Sequence, residues 1–130
     1  MPRRALLLIA APTLFMALAS AVALLYMPHP VPKHASPVAR LWLTHCATCH
    51  GADGGGSWRS RLFLMRPGDL RDPARLGALS DEYLFTLIQQ GGAPLGKPGM
   101  PAFGYHLTPD QIRELVRYLR ERPARAATRR

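Results

Sequence analysis

The 130-residue chain contains only two cysteines, and they stand with a histidine directly behind the second: Cys46-Ala47-Thr48-Cys49-His50. Four chemistries use such a pair. An exported protein can close it as a disulfide. A thioredoxin-like redox pair has the same spacing but expects a βαβ setting. A structural zinc site wants a second pair of ligands, and no further cysteine exists to supply it. In the fourth, the two thiols add to the two vinyl groups of a haem while the next imidazole reaches the iron. With neither β alternation nor a second pair, the residues favour one covalently bound haem c.

Such an attachment needs elements to position it. Ser36-Pro37 opens a segment running to His45, with proline suited to a first helical position and Leu41 and Trp42 supplying apolar surface; a helix ending at the cysteine motif is expected. From Gly51 to Asp72, glycines at 51, 54, 55, 56 and 68 and a proline at 67 predict a long loop, unusual in so small a unit without a ligand to wrap. Ser80 before Asp81 and Glu82 reads as an N-cap with acids in the first turn, and Leu84, Leu87 and Ile88 form one helical face that Gly91-Gly92 ends. A second loop runs from Ala93 to Leu107. Thr108-Pro109-Asp110-Gln111 is a capping box with proline at its first helical position, followed by Ile112, Leu115, Val116 and Leu119 at helical spacing. Arg113, Arg117 and Arg120 lie mostly off that stripe, and Pro123 is expected to end the helix. No stretch alternates as a strand should, so the fold class is all-α.

The division expected is residues 1–27 as a membrane anchor or signal peptide, 28–36 as a Pro-rich linker, 37–122 as the folded domain, and 123–130 as a basic, disordered tail. Arg3 and Arg4 precede an uncharged run from Ala5 to Met27, long enough at about 1.5 Å per residue to cross a bilayer core of about 30 Å. Small residues such as Ala17, Ala19, Ala21 and Ala23 also offer peptidase sites. Both readings export the domain. The apolar run outlasts those sites, and Tyr26 suits the far interface, which favours an uncleaved anchor with the domain on the periplasmic side of a bacterial inner membrane; a soluble periplasmic domain after cleavage is the alternative. Pro28-His29-Pro30-Val31-Pro32 predicts an extended, fairly stiff stalk.

The net charge is +9, from 17 Lys and Arg against 8 Asp and Glu. A cationic exported domain attracts acidic protein surfaces. Nucleic acid is set aside, since no recognition fold or aromatic-basic stripe is present and the leader carries the domain out of the cytoplasm. A domain this small buries a limited share of its apolar surface and gains from a staple, which a haem provides.

The chain resembles the monohaem class I cytochrome c family over nearly all of residues 37–122. Leu41-Trp42 stands where that family places an apolar-aromatic pair, Cys46 to Gly51 reads as its attachment motif, and Pro67-Gly68-Asp69-Leu70 resembles its proximal loop. Gly99-Met100-Pro101-Ala102-Phe103-Gly104 resembles its axial methionine loop, and the capped C-terminal helix completes the order. One departure is Val38, where the family usually has glycine; it should widen the crossing of the first and last helices. The resemblance implies a small helical domain wrapped around its haem, His50 as proximal and Met100 as distal iron ligand, and the Pro67 carbonyl as acceptor for the other nitrogen of His50. Met65 is the other methionine outside the leader and reads as apolar packing. His45 and His106 are alternative axial ligands in principle, held as surface or neighbouring residues; His29 and His34 are expected to be solvated. Trp58, Arg59, Arg71 and Lys97 are candidates for the haem propionates.

The function implied is single-electron transfer between exported or membrane-bound redox proteins, with no bond chemistry and no small-molecule substrate. A haem subunit of a stable membrane oxidase or dehydrogenase is the alternative. A gas-binding or peroxidatic haem protein comes third, because a methionine at the sixth position argues against it.

Overall fold

The computed structural model describes residues 3–128 and the side chains of 8–122. The apolar leader is one helix, α1 (Arg3–Tyr26), and its segment Leu8–Tyr26 is long and apolar enough to cross a membrane. Just past the proline-rich stretch the chain turns at Lys33-His34, where Ala35 N–H donates to the Pro32 carbonyl at 3.0 Å. Arg40 reaches back to the carbonyls of Lys33 (2.6 Å) and Ala35 (3.1 Å) and holds that turn. His29 is half-buried and its Nε2 is shielded from solvent, contrary to the expectation of a solvated side chain.

Ser36 begins α2 (Pro37–Leu41) as expected, its hydroxyl accepting from Ala39 N–H at 3.3 Å. The helix does not stop before the cysteines. It passes through a π-helical turn (Trp42–Cys46) into α3 (Ala47–His50), so the motif lies on helix. Trp42 and Ala47 are both buried in the same core cluster. Five residues apart, they would diverge by about 140° on a regular α-helix. The widened turn, closed by Ala47 N–H on the Trp42 carbonyl, brings both to one face.

The long loop after Gly51 contains α4 (Trp58–Leu62), started by Ser57, whose hydroxyl accepts from Ser60 N–H at 3.1 Å. Asp72 caps α5 (Pro73–Gly77), accepting from Ala74 and Arg75 N–H. Neither was expected; each is five residues, too short to display a period. Ser80 caps α6 (Asp81–Gln90) by accepting from Tyr83 N–H at 3.1 Å, and Gly91 ends it, as predicted. The capping box of α7 (Pro109–Thr128) forms in both directions: Thr108 N–H donates to Gln111 Oε1 (2.9 Å) and Gln111 N–H to Thr108 Oγ1 (3.3 Å). α7 runs past Pro123, which removes only its own N–H bond to the preceding turn. The last two residues of the tail lie outside the described chain.

The core joins Ile112, Leu115, Val116 and Leu119 of α7 to Leu84 and Ile88 of α6 and to Trp42 and Ala47. Val38 is half-buried against this cluster, so the crossing of α2 with α7 accommodates its side chain. No strand forms among the described residues. Arg120 donates to the carbonyls of Leu76 and Leu79 and pairs with Asp81 at 2.7 Å, tying α7 to α5 and the start of α6.

Candidate functional site

Cys46, Cys49 and His50 sit where the helical run meets the glycine loop. Both thiols are free and half-buried. Burial pushes the Cys46 thiol up to about 12, the Arg122 cation opposing and Cys49 adding, so it stays protonated at neutral pH. His50 is held below the ordinary imidazole value, chiefly by burial and then by the Arg122 guanidinium. It is therefore neutral, the form that binds iron. Its Nδ1 is sealed from solvent and has no hydrogen-bond partner in the structure. The expected bond to the Pro67 carbonyl is thus not made here. A buried imidazole nitrogen without a partner is costly unless a ligand and its surroundings complete the site.

The loop behind the motif folds back onto it. Gly51 (φ 77°) ends α3, and a Cβ there would lie 3.0 Å from the Gly56 carbonyl oxygen, so glycine is required. This close return lets Gly56 N–H donate to the His50 carbonyl (2.7 Å) and Ser57 N–H to the Cys49 carbonyl (2.9 Å), satisfying the helix end. Two side chains then grip the loop through one atom. The Ala52 carbonyl accepts from Trp42 Nε1 at 3.2 Å and from Arg122 Nη2 at 2.7 Å. Arg122 lies with its guanidinium 4.3 Å from the Trp42 ring centroid and 5.3 Å from that of Tyr118. Trp42 in turn packs 6.0 Å from the His50 ring.

Sequence reasoning missed this clasp, having treated Arg122 only as the end of the folded domain. A signal was present: Ile112, Leu115, Leu119 and Arg122 continue one helical face at spacings of three and four.

The loop bearing Met100 is stitched to the far end of α6. Gly92 N–H donates to the Met100 carbonyl (2.8 Å), Phe103 N–H to the Ile88 carbonyl (3.0 Å) and Gly104 N–H to the Gln89 carbonyl (3.0 Å). Gly91 (φ 79°) permits the approach, since a Cβ there would come within 2.8 Å of Ala102 N. Met100 and Phe103 are half-buried against the same core cluster as Cys46 and Leu70. The cysteine motif and the methionine loop are therefore brought to one core. His45 meets Phe103 edge-on, ring centroids 6.0 Å apart, and His106 is exposed in a turn.

Met65 is nearer to that loop than its reading as plain packing implied: its Sδ would be 3.5 Å from a Cβ placed on Gly99. Met65 and Pro67 also line a cavity of about 430 Å³, with Gly55, Gly56, Ser60, Arg61, Leu64 and Arg66. The propionate candidates have other engagements. Arg71 pairs with Asp53 (3.1 Å) and Asp69 (2.9 Å), Lys97 donates to Tyr83 Oη (3.2 Å), and Arg59 bonds carbonyls at the end of α1. Trp58 is exposed.

The donor set fits a haem: two free thiols at vinyl spacing and a neutral imidazole beside them, with a thioether on a loop that shares their core. Residues 34–119 match the family described as cytochrome c oxidase, cbb3-type, subunit III. The gluconate 2-dehydrogenase cytochrome c subunit of Pantoea cypripedii is 32% identical over 88 residues, which cover 63% of this chain and 19% of that protein. The solved c-type cytochrome KustC0563 superposes with a TM-score of 0.53 at 30% identity, over 63% of this chain and 92% of that one. The chain thus spans about a fifth of the length of its dehydrogenase-subunit relative and nearly all of the solved cytochrome. The motif, the all-α fold and these matches lead to one conclusion: the chain belongs to the c-type cytochrome family described as cytochrome c oxidase, cbb3-type, subunit III, and carries a covalently bound haem c.

Proposed function

We propose that residues 37–122 form a monohaem electron carrier in which Cys46 and Cys49 would hold the haem and His50 and Met100 would supply ligands to its iron. The observation that carries this reading is the pair of free thiols with His50 directly behind them, its Nδ1 sealed from solvent and without a partner. The haem supplies a one-electron couple, with the methionine thioether raising its potential. The chain's own residues do the rest. The Gly51–Ser57 return and the Trp42–Arg122 clasp fix the direction of His50, and the Pro67 carbonyl accepts a hydrogen bond from its Nδ1–H in the loaded protein. Met100, on a loop that packs against the same core as Cys46, would supply the second ligand and so keep the iron from a substrate or gas.

Denaturing electrophoresis after acid-acetone extraction tests the attachment. Haem stays with the wild-type polypeptide and is lost in Cys46→Ala/Cys49→Ala; haem released from the wild type contradicts the reading.

The leader is read as a retained anchor that holds the domain on the periplasmic side of the inner membrane, raising its effective concentration near membrane partners. An intact mass beginning near Ser20, Val22 or Leu24 contradicts retention. Partners are redox proteins with acidic docking surfaces, met in small, short-lived contacts. Their association slows as salt rises, because the attraction is screened over about 8 Å at physiological ionic strength. A rate flat across a salt series contradicts electrostatic docking.

The similarity to a dehydrogenase cytochrome subunit favours a second reading, a fixed haem subunit of a membrane oxidoreductase. Copurification with a partner at constant stoichiometry distinguishes it from a free carrier.

A further inference from the structure

Four large apolar side chains stand in solvent on one short stretch: Trp58, Leu62, Phe63 and Leu64, the last 86% exposed. Leu64 also has φ 56°, a left-handed backbone that a bulky residue adopts at a cost. Leu64 also lines the cavity of Met65 and Pro67, whereas Trp58, Leu62 and Phe63 are exposed outside that lining. Arg61 and Arg66 of the same stretch are exposed at the edge of that cavity, and neither forms an ion pair among the described residues. Its nearby acids are engaged, Asp53 and Asp69 both pairing with Arg71.

The position of this stretch identifies the covering surface. Arg59, inside α4, donates through Nη2 to the Leu24 carbonyl at 3.1 Å and to the Met27 carbonyl at 2.6 Å. Leu24 lies in the last turn of α1 and Met27 directly follows it, where backbone carbonyls lack helical partners and a cation is favoured by the helix dipole. Arg59 thus caps the apolar helix from the haem domain. Trp58 lies beside that cap, the Arg59 guanidinium 5.4 Å from its ring centroid. Tyr26 and Met27 are exposed at the same place. Tryptophan and tyrosine at the end of a span, aliphatic residues beside them and arginines around them match the headgroup zone of an anionic bilayer.

We propose that Trp58, Leu62 and Phe63, flanked by Arg61 and Arg66, seat on the anionic surface of the bilayer that α1 crosses, so that the Arg59 cap and this patch together fix the orientation of the haem domain. This rests on the reading of α1 as a retained anchor. The domain then stands on the membrane by two contacts instead of swinging on a tether, and one part of its surface always faces the lipid.

The test uses full-length holoprotein in nanodiscs containing a phospholipid with a diazirine at the headgroup end of its acyl chain, irradiated and mapped by peptide mass spectrometry. Label is expected in α1 and in the peptide carrying residues 58–64. Patch label drops about fivefold for each of Arg61→Gln and Arg66→Gln in anionic lipid, the effect of one basic residue near a charged surface. Leu62→Ser/Phe63→Ser removes most patch label while haem content and α1 label stay unchanged; both positions are exposed, so the fold tolerates the change. Label in α1 alone overturns the docking and leaves the anchor standing. Label in neither overturns the anchor and the docking with it. A patch unlabelled in nanodiscs but shielded from hydroxyl radicals in native membranes belongs to a protein partner, which also overturns the proposal.

Discussion

At the end of α3 the N–H groups of Gly56 and Ser57 return to the carbonyls of His50 and Cys49, and at the end of α6 those of Phe103 and Gly104 return to the carbonyls of Ile88 and Gln89. Both loops close a helix end with their own backbone, and both depend on a glycine of positive φ, Gly51 in one and Gly91 in the other. They differ in what else holds them. The loop after His50 is gripped from a distance by Trp42 and Arg122 on the Ala52 carbonyl, and Arg71 spans Asp53 and Asp69 alongside. The methionine loop is held by backbone bonds to its own neighbouring helix. The histidine side is thus built into the helix crossing of α2 and α7, whereas the methionine side depends on a local, close backbone approach. Damage to the two should look different.

The largest effect falls on the methionine side. Gly91→Ala forces a left-handed backbone and drives a Cβ to 2.8 Å from Ala102 N. We expect a loss of about 3 kcal/mol in thermal unfolding, and loss of the ferric sulfur-to-iron charge-transfer band while the haem stays covalently bound. Retention of the band would show that the loop does not need this approach.

Arg122→Gln comes next and attacks the histidine side. It removes a charged bond of 2.7 Å and the stacking on Trp42, costing about 1–2 kcal/mol at this half-buried position. The band should survive. The reduction potential should fall, because a cation near His50 disfavours the ferric state. An unchanged stability and potential would remove the clasp from the account. Trp42→Phe keeps the ring but loses the 3.2 Å bond to Ala52, and about 1 kcal/mol is expected in the same assay.

The smallest effect is on acidification. Asp69 is held down to about 2, mainly by the hydrogen bond from the Arg71 side chain, against about 3.9 in an unfolded chain. A group depressed in the fold contributes its stability above the unfolded value and loses it as pH falls towards the folded one. The Arg71 contribution should therefore be complete above pH of about 4 and fade towards 2, a small loss because the pair is exposed and screened. Arg71→Gln should flatten that part of the stability profile.

Much of this contrast was legible in the sequence. Ser36, Ser80 and Thr108 each cap the helix predicted for them, since a cap is a local signal with its partner two or three residues away. The α7 stripe and the cysteine motif are local as well. The spacing of Trp42 and Ala47 gave no warning of the π turn, because an apolar face read at α-helical period hides a widened one. The clasp needed Arg122 and Ala52 brought together across seventy positions, and the Arg120 tie to Leu76 and Leu79 is equally remote. Pro123 misled because a proline signals only its own missing bond. The turn at Lys33-His34, just past the prolines, is held by Arg40 from outside it and left no local signal.

Carbon monoxide binding to the ferrous holoprotein tests the central claim most directly, measured side by side for wild type, Met100→Ala and Met65→Ala. With Met100 on the iron opposite His50, the wild type and Met65→Ala should refuse the gas and keep the charge-transfer band, while Met100→Ala binds it, loses the band and drops in potential. Wild type that binds carbon monoxide readily, or a band that disappears with Met65 and not with Met100, would contradict the account.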